Sequence, residues 1–350
     1  RDGTREKVQA VSKQDPRFRL LTDDPLPSDW VGRPWALHHG FLHISKAEGR
    51  RQEAEAVRPR VGASRLSKGT RTKKGNEQGC QVKGNETTGT KWFLGIDADT
   101  QPQAGLVAGL LEVAEAEGYD LISLSPQFIL RHAGEWWLQP ALLMTLLYRF
   151  DSSGVEASHG DRVMANGQCF LCRRSVLEAV GGYESAKGSF CDDVTLARHI
   201  AARGYKVGFL DGRRVLRVRM YEGLRETWRE WGRSLDLKDA SSGAQVWGDL
   251  GLLLFVQALP VPLFLVGCIL LALGYRGILL VVATRLNIGL VAIRFALLFA
   301  IAPSYAPSPT PASWLFWLSP LADPLAVLRI FLSARQKPKQ WRGRNYRGWK

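Results

Sequence analysis

The chain has 350 residues, enough for two or three structural units, and sets 47 Lys and Arg against 33 Asp and Glu for a formal charge of +14. That excess favours an anionic partner, nucleotide phosphates or acidic lipid head groups, over nucleic acid, because no zinc-finger spacing, RNP-like strand or basic recognition helix accompanies it. Five cysteines, an odd number with no framework of spacings, argue against a disulfide scaffold and for a reducing compartment.

The chain opens on the charged run Arg1-Asp2-Gly3-Thr4 without a cleavable signal, which predicts a start that is cytoplasmic or lies further upstream. Residues 46–90 are rich in Arg, Lys, Glu, Gly, Thr and Asn, lack aromatics and hold no helical or strand period. They read as a disordered insertion, and since they interrupt what should be a short helix-to-strand connection, a splicing artefact is a second reading.

Residues 92–97 (WFLGID) and 120–124 (DLISL) predict short buried strands with an amphipathic helix over 103–118 between them, an α/β alternation. The run 136–150 (WWLQPALLMTLLYRF) fits an interfacial helix or an ordinary core helix equally well. Cys169 and Cys172 form a CxxC inside the apolar run CFLCRR, where buried strand thiols are the expected reading rather than a metal or redox site. A helix is expected just after Cys191-Asp192-Asp193, ending at Gly204, with a strand over 205–210. Residues 221–238, with Trp228, Trp231, Arg225, Arg229 and Arg233, read either as an amphipathic helix on the membrane surface or as a lid whose arginine steadies a diphosphate.

Residues 251–274 carry no charge and are long enough to cross a bilayer, with a kink expected at Pro260 and Pro262. The stretch 277–302 holds Arg285, Asn287 and Arg294, which must face protein if it spans; otherwise it lies partly in the interface. A third stretch, 314–334, has Trp314 and Trp317 suited to the headgroup level. The tail, QKPKQWRGRNYRGWK, is basic and is placed in the cytoplasm by the positive-inside tendency, together with the large upstream domain.

Chemistry concentrates in a few places. Asp97 and Asp99 stand at the end of an apolar strand, where open α/β sheets put their ligands. Two such carboxylates can hold Mg²⁺ or Mn²⁺ together with phosphate oxygens, though an Asp-rich solvated turn would show the same letters. Asp192 and Asp193 suit a helix N-terminus, and one of them could also act as a general base on an acceptor hydroxyl. Asn166, Gly167 and Gln168 offer side-chain amides and a glycine that a sugar or acceptor could approach, or simply a turn.

Taken in order, these motifs resemble family 2 glycosyltransferases, inverting enzymes of the GT-A fold, and particularly the membrane branch that includes ceramide glucosyltransferase and the hopanoid- and carotenoid-associated transferases. Asp2-Gly3-Thr4 resembles the end of the family's DxSxDGT donor-binding segment, and WVGRPWAL at 30–37 its W-x-G-K-x-W-A element, with Arg33 at the Lys position. The resemblance implies that Asp97 and Asp99 are the DxD motif holding the metal and the nucleotide diphosphate, that Asp193 is the catalytic base, and that Asp192 is the accompanying acid. Arg233 would be the arginine of the Q/R-x-x-R-W motif; Glu230 and Ser234 depart from that motif, which favours transfer of a single sugar over processive polymerisation.

The implied organisation is the N-terminal part of a GT-A domain over 1–45, the insertion over 46–90, a catalytic GT-A domain over 91–245, a transmembrane region over 251–334 and a basic tail over 335–350. The family's first strand and its N-terminal membrane helix would lie before Arg1. The implied fold is an α/β, Rossmann-like, GT-A-like domain followed by transmembrane helices. The implied activity is metal-dependent transfer from a UDP- or GDP-sugar to a hydroxyl of a lipid-like acceptor. An inactive, truncated membrane relative that scaffolds partners or binds lipid is the second reading.

Overall fold

The computed structural model describes residues 3–22, 25–57, 91–150, 162–231, 235, 237–336, 340–341 and 344–345, with the side chains of 47–57 and 340–345 left aside. Helix α1 (Thr4–Gln14) buries none of its side chains. Helix α2 (Gly32–Val57) is seated at its start by Trp30, Val31 and Phe41, all buried, with the Val31 N–H donating to the Lys187 carbonyl at 2.7 Å. The boundary expected at 46 is not where this helix stops. Residues 46–57, KAEGRRQEAEAV, carry enough Ala, Glu, Arg and Gln to propagate a helix without an apolar stripe, so a search for hydrophobic period passes over them. The remainder of the expected insertion, 58–90, lies outside the described residues.

The elements that follow are β1 (Trp92–Ile96), β2 (Thr100–Pro102), α3 (Leu106–Ala116), β3 (Leu121–Ser125), β4 (Gln127–Phe128), α4 (Ala133–Leu147), β5 (Cys169–Arg173), α5 (Arg174–Ala179), α6 (Asp192–Ala201), β6 (Val207–Asp211) and β7 (Leu216–Val218). Four strands form a mixed sheet in the order β1-β5-β3-β6, and β2-β7-β4 form a second, smaller sheet. Strand β5 runs antiparallel to both β1 and β3, while β3 and β6 are parallel, so β1, β3 and β6 point their carboxyl ends the same way.

Alternation along the strands divides the core into two layers. Leu121, Phe170 and Cys172 face one side, packed with Leu177, Leu196, Ile200 and the start of α2. Ile122, Leu124, Cys169 and Leu171 face the other, against Leu106, Leu110 and Ala114 of α3. The CxxC thiols therefore sit on opposite faces of one strand and share neither a metal nor a disulfide. Burial pushes both up to about 12, as expected of inert core thiols.

Helix α4 packs against the C-terminal region as a core helix does. Trp136, Leu138, Ala141, Leu142 and Met144 are buried with Leu298, Phe316, Ala322, Ala326 and Ile330 from the C-terminal region. The buried Glu135 accepts from the Arg131 and Gly223 N–H groups, each at 2.7 Å, and pairs with Arg219. Of the stretch 221–238, expected as a membrane-surface helix or a lid, residues 232–234 and 236 lie outside the described residues. Helix α7 (Gly223–Glu226) runs into a π-type turn, Thr227–Trp231, that buries Thr227 and Trp231. Here α4 comes close, since a Cβ on Gly134 would lie 2.5 Å from the Leu224 side chain.

The C-terminal region contains α8 (Gly243–Leu253), a π-type turn (Leu254–Ala258), α9 (Pro260–Ala272), α10 (Ile278–Ile301), a 3₁₀ segment (Pro311–Ala322) and α11 (Asp323–Arg335); part of the basic tail forms a short ladder between β8 (Gln340–Trp341) and β9 (Arg344–Asn345). Ile278–Ser304 and Pro311–Arg335 are long and apolar enough to cross a membrane, and Gly243–Ala258 with Pro260–Ala272, bent by 40°, supplies a third candidate. This fits an integral membrane protein. The first of the expected spans starts earlier than 251, and its bend falls at the break before Pro260; Pro262 lies in the first turn of α9, where a missing N–H costs nothing. Ile278 and Leu279 are 84% and 80% exposed, as lipid-facing side chains would be.

Of the polar groups in α10, Asn287 and Arg294 face protein and Arg285 is exposed. Arg294 donates through Nε and Nη2 to the two carboxylate oxygens of Asp323, at 2.7 and 3.0 Å. Gln257 donates to the same Asp323 at 3.0 Å and to the Ala141 carbonyl at 2.8 Å, tying α4, α10 and α11 to the turn before α9. The small sheet joins this assembly too. Phe128 of β4 forms a parallel bridge with Tyr305, and the Ala306 N–H donates to the Phe128 carbonyl at 2.8 Å.

Candidate active site

The carboxyl ends of β1, β3 and β6 open on a cavity of about 360 Å³ that reaches the end of α10. At the β1 end, Asp97-Ala98-Asp99 makes the turn into β2. The Asp97 N–H donates to the Gln168 carbonyl at 3.3 Å, next in the β1–β5 register, and the Thr100 hydroxyl and N–H then turn back on the Asp97 carbonyl at 2.6 and 3.2 Å; the two carboxylates line the cavity.

Asp192 and Asp193 occupy the first turn of α6, as the sequence suggests, and both line the same cavity. Asp193 is pinned by backbone. Its Oδ2 accepts from the Gly167 N–H at 2.6 Å and its Oδ1 from the Val194 N–H at 2.9 Å. Burial raises its pKa, against the opposing pull of Arg33 and the two amides. Burial likewise pushes Asp192 up to about 7, with Arg33 opposing and the neighbouring Asp193 and Asp97 adding to the rise.

Arg33, in the first turn of α2, lies between these carboxylates. Its Nε and Nη2 donate to Asp97 Oδ1 at 3.2 and 3.0 Å, its Nη1 donates to Asp192 Oδ2, and its Nη2 also donates to the Gly167 carbonyl at 2.8 Å. Burial disfavours the Arg33 cation, but the fields of Asp192, Asp97 and Asp193 outweigh that and raise its pKa beyond the ordinary range. The aromatic residues of WVGRPWALHH set this position. Trp30 packs on Trp35 and His38 with ring centroids 5.3 and 4.9 Å apart, and the Tyr183 N–H donates to His38 Nδ1 at 3.3 Å.

Asn166, Gly167 and Gln168 line the cavity as well. Asn166 Nδ2 donates to Gln168 Oε1 at 2.9 Å and the Gln168 N–H donates to Asn166 Oδ1 at 3.1 Å, while Ser123 clasps the Asn166 backbone. The close approach permitted by Gly167, expected of a sugar or an acceptor if not of a simple turn, is taken by Arg33: a Cβ at 167 would run into its guanidinium. Asp2 and Arg233 lie outside the described residues.

Other cavity-lining residues were not anticipated. Ser125, Asp211 and Arg213 follow from the ends of β3 and β6, and the Asp-Gly after an apolar strand at 207–211 was the available signal for them. Leu143, Leu146, Leu147, Phe150 and Met164 give the cavity an apolar part of its lining, which Ala300, Ile301 and Ser304 share. No local pattern marks it.

The lining sets five carboxylates, Asp97, Asp99, Asp192, Asp193 and Asp211, against two guanidinium groups, Arg33 and Arg213. A diphosphate would be repelled from such a site unless a further cation came with it. Among the described residues no group of three or more His, Cys, Asp or Glu side chains stands ready to hold a metal alone. The Asp97 and Asp99 oxygens thus suit a hard divalent ion such as Mg²⁺ or Mn²⁺ that takes its remaining ligands from phosphate and water.

The chain matches no curated protein. Residues 92–327, from the first strand of the mixed sheet into α11, match the family model described as glycosyl transferase family group 2, and the chain belongs to that family.

Proposed function

We propose that the chain is an inverting hexosyltransferase of GT-A-like fold that moves a sugar from a UDP- or GDP-sugar to a hydroxyl of a lipid-like acceptor, with Mg²⁺ or Mn²⁺, at the cytoplasmic face of a membrane. It would sit in the membrane branch alongside ceramide glucosyltransferase-like and hopanoid- or carotenoid-associated enzymes. One observation carries the reading: a single cavity joins the carboxylates at the sheet edge to an apolar lining from α4 and the end of α10. A headgroup hydroxyl could reach Asp193 while its chain stays among Leu143, Leu146 and Leu147.

In this reading Asp193 removes the acceptor's hydroxyl proton as that oxygen attacks the anomeric carbon, and the bond from that carbon to the diphosphate oxygen breaks on the opposite face. The two amides hold the carboxylate in place, and a raised pKa makes it a stronger base. Asp192 and Arg33 keep the local charge balanced. A divalent ion, when bound, would neutralise the charge of the departing diphosphate. Asp97 and Asp99 would hold it, with Asn166, Gly167 and Gln168 framing the donor side.

The test uses the detergent-solubilised chain with radiolabelled UDP- and GDP-sugars, extracted lipids and a short-chain, water-soluble acceptor carrying the same headgroup, with Mn²⁺ or with EDTA. Metal-dependent label in the lipid fraction, and little in the short-chain acceptor, is the expected result. Equal transfer to both acceptors would remove the lipid assignment, and transfer undiminished by EDTA would remove the metal.

A further inference from the structure

We infer that Arg33 is a resident counter-cation of the donor site, which surrenders Asp97 to the incoming divalent metal and keeps its hold on Asp192. The inference rests on the metal-dependent reading above. Both hydrogen bonds that Arg33 makes to Asp97 fall on one oxygen, Oδ1, at 3.2 and 3.0 Å, so the guanidinium saturates the oxygen that a metal would need or crowds an ion on its partner. A divalent ion bound at about 2.1 Å from Asp97 would lie within a few ångström of a fixed positive charge. Their mutual repulsion sets the two cations in competition for Asp97. The remaining contacts show where Arg33 can stay: Nη1 is held by Asp192 and Nη2 by the Gly167 carbonyl.

The seat is built for this group. The guanidinium is planar and presents its donors in a fixed fork, which here spans the end of β1, the turn before β5 and the start of α6. Gly167 leaves the space it fills, and no positive φ requires glycine there. Departure of Arg33 from Asp97 would concentrate its charge on Asp192 and its neighbour Asp193. Arrival of the donor would thus be felt at the carboxylates that meet the acceptor.

The test is Mn²⁺ binding to the detergent-solubilised full chain without nucleotide, read as loss of the free Mn²⁺ signal in electron paramagnetic resonance. Arg33→Gln should raise Mn²⁺ affinity about tenfold or more, since it removes a cation from the edge of the site. Arg213→Gln, which removes a guanidinium from the same cavity but not from Asp97, should change it by about threefold or less. Should Arg33→Gln fail to fold, Gly167→Ala, which evicts the guanidinium while leaving it in the chain, carries the same expectation. Unchanged affinity on removing Arg33, or an equal rise with Arg213→Gln, overturns the exchange. If Mn²⁺ binds the wild type and Arg33→Gln alike while transfer still needs Mn²⁺, the metal-dependent reading stands and this one falls; absence of Mn²⁺ binding in every variant overturns the exchange, and the EDTA arm of the transfer assay then decides the metal-dependent reading.

Discussion

Asp193→Asn is the sharpest perturbation of the proposed chemistry because it changes one atom. Asp193 accepts two backbone hydrogen bonds, from Gly167 at 2.6 Å and Val194 at 2.9 Å. Asparagine keeps one acceptor oxygen and turns the other position into a donor facing an N–H, a local loss of roughly 1–3 kcal/mol. Relief of a buried carboxylate that already resists ionisation offsets part of it, so the variant should fold and bind nucleotide. The base, by contrast, is gone. General-base catalysis supplies roughly 10²- to 10⁴-fold in rate, about 3–5 kcal/mol of barrier. Initial rates of sugar transfer at saturating donor should therefore fall by at least about a hundredfold, with UDP affinity by calorimetry shifting less than about threefold. A folded variant that retains transfer within tenfold of wild type would refute the assignment of Asp193 as base.

Three other outcomes follow from the geometry. Asp192, raised to about 7, gains a proton as pH falls through neutrality, and Asp193 is raised above its ordinary value; since Asp192 balances Arg33 beside the base, kcat/KM should decline from pH 8 to pH 6, and a flat profile over that range would contradict this arrangement. Leu143→Trp, which fills the apolar part of the cavity, should raise the acceptor KM several-fold and leave the donor KM unchanged; an effect on the donor alone would relocate the acceptor. Asp323→Asn leaves Arg294 buried with a neutral partner and should lower stability by about 3–5 kcal/mol in a thermal-shift assay, while the paired change Arg294→Leu with Asp323→Leu should recover much of that loss.

What could be read from the letters follows from how local each feature is. The WFLGI run ending in Asp97-Ala98-Asp99, and Cys191-Asp192-Asp193 ahead of an apolar-periodic helix, carry their structure within a few residues, and the mixed α/β sheets and the α6 start lie where they were expected. The apolar runs near the C-terminus were equally local. Over 221–238, Trp and Arg at helical spacing suit a surface helix as well as the turn that buries Trp231 beside the cavity. The extension of α2 to Val57 escaped notice because propensity, not amphipathicity, supports it. Arg33 could be placed near the donor only through family resemblance; its simultaneous hold on Asp97, Asp192 and Gly167 joins residues 64, 159 and 134 positions apart, and no spacing encodes that. The apolar lining is of the same kind, assembled from α4 and α10.

The bridge between Phe128 and Tyr305 has a consequence for how this protein can be divided. A strand of the second sheet is completed by backbone that follows the long apolar helix, and Gln127 donates to the Pro303 carbonyl at 3.3 Å beside it. A version cut before α8 to gain solubility would therefore keep its five carboxylates but lose Ala300, Ile301 and Ser304 from the cavity wall and leave the Phe128 carbonyl without its donor. Grafting the sugar-handling half onto another anchor would meet the same obstacle. The two halves cannot be parted cleanly, because the seam between them is a wall of the cavity.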